Sequence, residues 1–146
     1  MALGTWHLDL MDLYAENILD HYRHPRNKEA LASPTVTHEE KNLSCGDEVR
    51  LSLKIEDDRI VSLGWEGDGC AISQAGISML GEELIGKTTE EAAALTSKHV
   101  RAMLGVHVGE RRLKCAFLGL HTLQNALRVH RGLPPQGWNQ TVNAPE

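Results

Sequence analysis

Three cysteines, Cys45, Cys70 and Cys115, are the residues in this chain whose surroundings suggest chemistry. Cys45 sits in "SCGDEV" with Asp47 two residues on, Cys70 in "GDGCAIS", and Cys115 just after Arg111, Arg112 and Lys114. A lone free cysteine is usually a small buried hydrophobe, and glycines often serve turns alone. Glycine and carboxylate are nevertheless poor company for a buried thiol, whereas glycine lets backbone come close to a bound ion or cluster. Three thiolates and one carboxylate would make a four-coordinate site, and thiolate donors suit zinc or iron-sulfur chemistry. A structural zinc domain without turnover is the plainer alternative. An aspartate ligand and a glycine-lined rim fit such a closed site less well.

The elements that must position these residues follow from patterning. With 146 residues, 41% of them apolar, the chain has room for one domain with a sizeable core. The net charge of −5 gives no basic bias towards nucleic acid. No apolar run approaches membrane-spanning length and the first residues lack signal-peptide features, so neither a membrane nor export is expected and the location expected is cytoplasmic. An odd number of widely spaced cysteines, with no C-x-x-C pair, argues for reduced thiols.

Residues 1–10 read as an extension. Leu10, Leu13, Tyr14, Ile18 and Tyr22 then recur at helical spacing until Pro25 stops the pattern. "PTVTHEEKN" is a strand candidate; "VRLSLKI" and "IVSLGWEG" alternate clearly, with Val61, Leu63 and Trp65 as the inward set of the second and "EDDR" as the turn between them. From Cys70 the period lengthens, with Ile72, Ile77, Leu80 and Leu84 on a helix that Gly86 can end. Thr88 and Glu91 have the spacing of a capping box. A last helix over 112–130 carries Leu113, Phe117, Leu120, Leu123 and Leu127 on one stripe, and residues 132–146, rich in Pro, Gly and Asn, read as a mobile tail. The expected class is α+β, a small antiparallel sheet with helices packed on one face.

All three cysteines then fall at element ends. A helix N-terminus and three neighbouring cations should lower the pKa of Cys115 and make it partly thiolate near neutral pH. His21, His24, His121 and His130 read as surface or hydrogen-bonded residues; His107 meets Cys115 only if the intervening turn folds back. Glu56, Asp57 and Asp58 read as solvated carboxylates of a hairpin turn.

"YAENILDHYRHPRN", "CGDEV", "GDGCAIS" and "KCAFLGLHTL", in that order, resemble the U-type iron-sulfur assembly family: IscU, SufU and the N-terminal domain of NifU. The match spans residues 11–131. The resemblance implies a scaffold or sulfur acceptor rather than a conventional enzyme, with Cys45, Asp47, Cys70 and Cys115 as ligands to a transient iron-sulfur cluster and Cys115 as the sulfur acceptor. Zn²⁺ held by the same residues is the alternative, in a zinc-dependent sulfur-transfer protein of SufU type. The implied partners are a cysteine desulfurase and recipient apoproteins, and a homo-oligomer is left open. Lys114 stands where IscU-type members have histidine, as SufU-type members tend to have a basic residue there. The interval from Cys70 to Cys115 is of the compact IscU kind. Before Cys115 the chain reads "VGERRLKC", without the Leu-Pro-Pro-Val-Lys segment that IscU proteins offer to a dedicated chaperone.

Overall fold

In a computed structural model, which describes residues 10–143, the alternating segments pair as expected. Strands β1 (Val36–Asn42), β2 (Asp47–Glu56) and β3 (Arg59–Asp68) form one antiparallel sheet in the order β1-β2-β3. Leu51 lies opposite Trp65 and Leu53 opposite Leu63, and all four are buried. The two-residue turn between β2 and β3 holds Asp57 and Asp58 at φ of 50° and 60°, the left-handed pair that a tight hairpin requires. Near this turn the register shifts between Lys54 and Ile55, so that Ile55 faces Ile60. The shift corrects the expectation for Val61: Ile60 enters the core and Val61 is left exposed.

Helices α1 (Leu10–Arg23), α2 (Ala71–Leu84), α3 (Thr89–Ala93), α4 (Ser97–Leu104), α5 (Leu113–His130) and α6 (Trp138–Val142) complete the fold. A single 3-10 turn, Glu110–Arg112, leads into α5. Helix α5 packs on β1 and β2, α2 packs on β3 and α5, and α1 covers α2 from outside. Sandwiched in this way, α2 is buried on nearly all sides from Ser73 to Gly81. Its approach to α5 is close because Gly119 has no side chain; a Cβ there would lie 3.2 Å from the Ile77 backbone. The Thr88 capping box is formed in both halves, at 3.1 and 2.9 Å.

The outer edge of β3 does not face solvent freely. Trp65 N–H donates to Asn27 O, and Ile60 exchanges backbone hydrogen bonds with Gly86 and Lys87. Trp65 also finds a partner for its indole N–H in Arg26 O at 2.8 Å.

Two segments depart from the sequence reading. Residues 97–104, unassigned by pattern, form α4 with Val100 and Leu104 in the core. In sequence, residues 132–146 read as a mobile tail, but the described part of them folds back: α6 docks on α5, with Thr141 fully buried and Trp138 stacked on His121 at 4.0 Å. Pro and Gly shape the return of the chain, while the aromatic ring supplies the apolar area that anchors it. The expected N-terminal extension lies outside the described residues apart from Leu10. Among the described residues no helix is long and apolar enough to cross a membrane.

Candidate metal centre

The period of two in β2 decides where Asp47 points. It lies on the same face as Val49, Leu51 and Leu53, which carries its carboxylate inward at the strand's end, with 2% of the residue exposed. Antiparallel pairing sets Asn42, the last residue of β1, directly opposite. Asp47 Oδ1 accepts the Cys70 N–H at 2.9 Å and the Ser73 hydroxyl at 3.4 Å, and Oδ2 accepts Asn42 Nδ2 at 3.5 Å. Buried carboxylates need such donors. Gly69 leaves room for this arrangement, since a Cβ at that position would collide with Asp47 Oδ1 and Ser73 Oγ.

Cys45 stands exposed in the loop between β1 and β2, and Cys115 is buried in the first turn of α5. One ligand atom each from Cys45, Asp47 and Cys115 lies within 4.8 Å of the other two, the one such group of His, Cys, Asp or Glu donors among the described residues. Cys70 is half-buried and stands beside this trio as the N-cap residue of α2; its Sγ makes no capping bond and lies 3.9 Å from Ser73 Oγ. Asp47 therefore belongs to the trio and also binds the start of α2. His107 is exposed and belongs to no such group among the described residues.

The protonation of Cys115 is the reverse of the sequence expectation. Burial pushes its thiol up, and hydrogen bonds with Asp47 and Cys45 together with the negative charge of Cys70 and Asp47 push it further. Arg111, Arg112 and Lys114 are exposed, so water screens the cations that were to favour the thiolate. All of these effects favour the neutral thiol over the thiolate. A cavity of about 420 Å³ opens at Cys45: it is lined by Asn42, Ser44, Cys45, Glu110, Arg111 and Lys114.

Sequence reasoning missed Asn42 and Ser73. Asn42 Nδ2 also lies 3.6 Å from Cys115 Sγ, bridging the carboxylate and the inner thiol. Its role depends on strand register, which spacing alone does not give. Ser73 lies three residues after Cys70 at the start of a helix, and that spacing was a usable signal.

Residues 13–134, most of the chain, match the family described as NifU-like N terminal domain. The chain belongs to that family. This NifU-like domain is 30% identical over 145 residues to the zinc-dependent sulfurtransferase SufU of Bacillus subtilis, covering 88% of this chain and 98% of that protein. It is 36% identical over 132 residues to the iron-sulfur cluster assembly scaffold protein IscU of Thermotoga maritima, covering 80% and 93%. Among solved structures, one from Fervidobacterium islandicum, described as an iron-sulfur cluster assembly scaffold protein for the SUF system, superposes with a TM-score of 0.64 at 34% identity. That comparison covers 77% of this chain and 94% of the other. The α+β architecture is thus that of the NifU-like family.

Proposed function

We propose that this chain is a scaffold that accepts sulfur from a cysteine desulfurase, holds a transient iron-sulfur cluster and passes it to recipient apoproteins in the cytoplasm. The observation that carries this reading is the meeting of Cys45, Asp47 and Cys115 within 4.8 Å beside the half-buried Cys70. Three thiols and a carboxylate are a donor set suited to iron and sulfide, and the exposed Cys45 leaves one side of the site open to a partner. Asp47 supplies an oxygen donor that bonds iron less covalently than thiolate and is displaced more readily. The cluster here is cargo, and its ligands are Cys45, Asp47, Cys70 and Cys115.

Cys115, being buried, does not suit the first encounter with a persulfide, which calls for an accessible thiol. Cys45 takes that step in our reading, and Cys115 is the inner acceptor within reach of it. Each transfer forms an S–S bond to the accepting thiol and breaks the one to the donor, whose thiol leaves with the proton, so no net oxidation occurs. The test is incubation with a cysteine desulfurase and free cysteine, one portion being alkylated for peptide mapping and a second, unalkylated portion being reconstituted anaerobically with ferrous iron and a thiol reductant that supplies the two electrons taking persulfide sulfur to sulfide. Sulfur label on the site thiols and visible absorption of an assembled cluster are expected. An unlabelled protein that assembles nothing would sink the proposal.

A second reading is a zinc-dependent sulfurtransferase, favoured by full-length similarity to SufU and by Lys114 beside Cys115. The same four residues fit Zn²⁺, which when bound would keep their thiols deprotonated. Metal analysis after purification without oxygen separates the two readings: stoichiometric zinc with sulfur transfer but no cluster favours the second.

A further inference from the structure

Helix α6 lies beyond the residues 13–134 that match the family, yet its first residue, Trp138, contacts Lys114, which lines the cavity at Cys45. Lys114 Nζ stands 5.8 Å from the centre of the Trp138 ring, within cation–π range. The same ring stacks on His121 at 4.0 Å with 20° between planes. Its place is fixed by a dense set of hydrogen bonds. Thr141 Oγ1 lies 2.6 Å from His121 Nδ1, Gln136 N–H donates to Asn125 Oδ1 at 2.6 Å, and Ser97 Oγ donates to Val142 O at 3.1 Å. The indole is therefore a rigid surface offered to a long, exposed side chain that would otherwise sample many rotamers.

Lys114 also lines the cavity that exposes Cys45, together with Arg111 and Glu110. We propose that Trp138 is a positioning residue that holds the Lys114 ammonium over this cavity, where it receives the anionic sulfur that a desulfurase persulfide presents. The proposal rests on the sulfur-accepting reading above. Trp138 touches no reacting atom; it acts by restricting where Lys114 places its charge. The chemistry remains the transfer already written, in which the S–S bond to the desulfurase breaks as the bond to the accepting thiol forms.

The test compares initial rates of sulfur acceptance from a cysteine desulfurase in the parent, W138F, W138L, K114Q and the K114Q/W138L double variant. W138L should slow acceptance about two- to fivefold, the range that an exposed cation–π contact supports, and W138F should restore most of the rate. In the K114Q background the leucine substitution should have no further effect, an outcome that a merely structural tryptophan would not give. Equal additional slowing by W138L with and without Lys114 overturns the inference, as does a W138F rate no better than that of W138L. If the leucine variant does not fold, ring-current shifts decide: upfield Lys114 side-chain resonances are expected in the parent spectrum, and random-coil positions overturn the proposal. A parent protein that takes up no sulfur at all would instead overturn the underlying reading.

Discussion

The two ends of strand β2 carry carboxylates with opposite fates. At one end Asp47 is buried and receives a backbone N–H, a hydroxyl and a carboxamide. At the other, Glu56, Asp57 and Asp58 crowd three acidic groups into an exposed hairpin turn. The richer cluster is the less chemical one: Asp58 Oδ1 accepts the Thr89 hydroxyl at 2.6 Å and tethers α3, and Asp57 supplies a left-handed turn. What distinguishes the ends is convergence of soft donors around a desolvated oxygen, not the number of charges.

The comparison breaks first at the thiols. Replacing Cys45, Cys70 or Cys115 by serine should lower zinc or iron retention by about a hundredfold or more, since serine cannot match a soft ligand. Asp57→Asn and Asp58→Asn should leave retention unchanged. Metal stoichiometry after gel filtration is the measurement, and unchanged stoichiometry in all three serine variants would remove the site.

Asp47→Ala sharpens the contrast further. It should hold an assembled cluster longer and transfer it about tenfold more slowly, because the displaceable oxygen is gone. Transfer to an apo-ferredoxin followed by absorption tests this; a variant that loses its cluster faster than the parent would reverse the role assigned to Asp47.

Gly69→Ala places a methyl group against Asp47 Oδ1 and Ser73 Oγ. A loss of about 1–3 kcal/mol is expected, the scale of overpacking in a tight site, read from urea unfolding of the metal-free protein. At the hairpin end, Asp58→Ala should cost about 1 kcal/mol through the lost Thr89 bond and the left-handed backbone, with no effect on metal.

The smallest expected effect concerns acid. Burial holds His21 and His121 below the ordinary imidazole range, aided at His21 by the nearby Arg26 charge and opposed at His121 by Glu40. Because the folded pKa is depressed, the unfolded chain binds more protons as pH falls. The stabilisation is therefore complete above about pH 6.5 and is lost as pH drops towards the folded values. Urea midpoints should decline between about pH 7 and 5, and less steeply in H21Q and H121Q; identical slopes in parent and variants would contradict this assignment.

Alternation made β2 legible, because a half-buried strand must repeat every two residues, but not that the strand begins at Asp47 and turns its carboxylate inward. Helical stripes located α2 and α5, and so placed Cys70 and Cys115 at their starts. Burial of Cys115 was not legible, since neighbouring cations in sequence say nothing about which side chain the fold desolvates. Asn42 escaped notice for a related reason: it joins the site through strand register. Val61 was misplaced by a one-residue shift in pairing, and α6 was hidden because the Pro and Gly around Trp138 suggested a loose end. Each of these misses turns on a contact distant in the chain.

The covering of the outer edge of β3 has a consequence for self-association. An open strand edge is a template on which a second molecule can continue the sheet. Here the Asn27 carbonyl closes one end of that edge, and the Gly86–Lys87 backbone closes the other. The opposite boundary, β1, carries His38, Glu39, Glu40 and Lys41, a charged strand that discourages a neighbour from pairing. The sheet stops at three strands by construction, and the protein can leave the Cys45 thiol exposed at one end of it without also offering a surface for edge-to-edge aggregation.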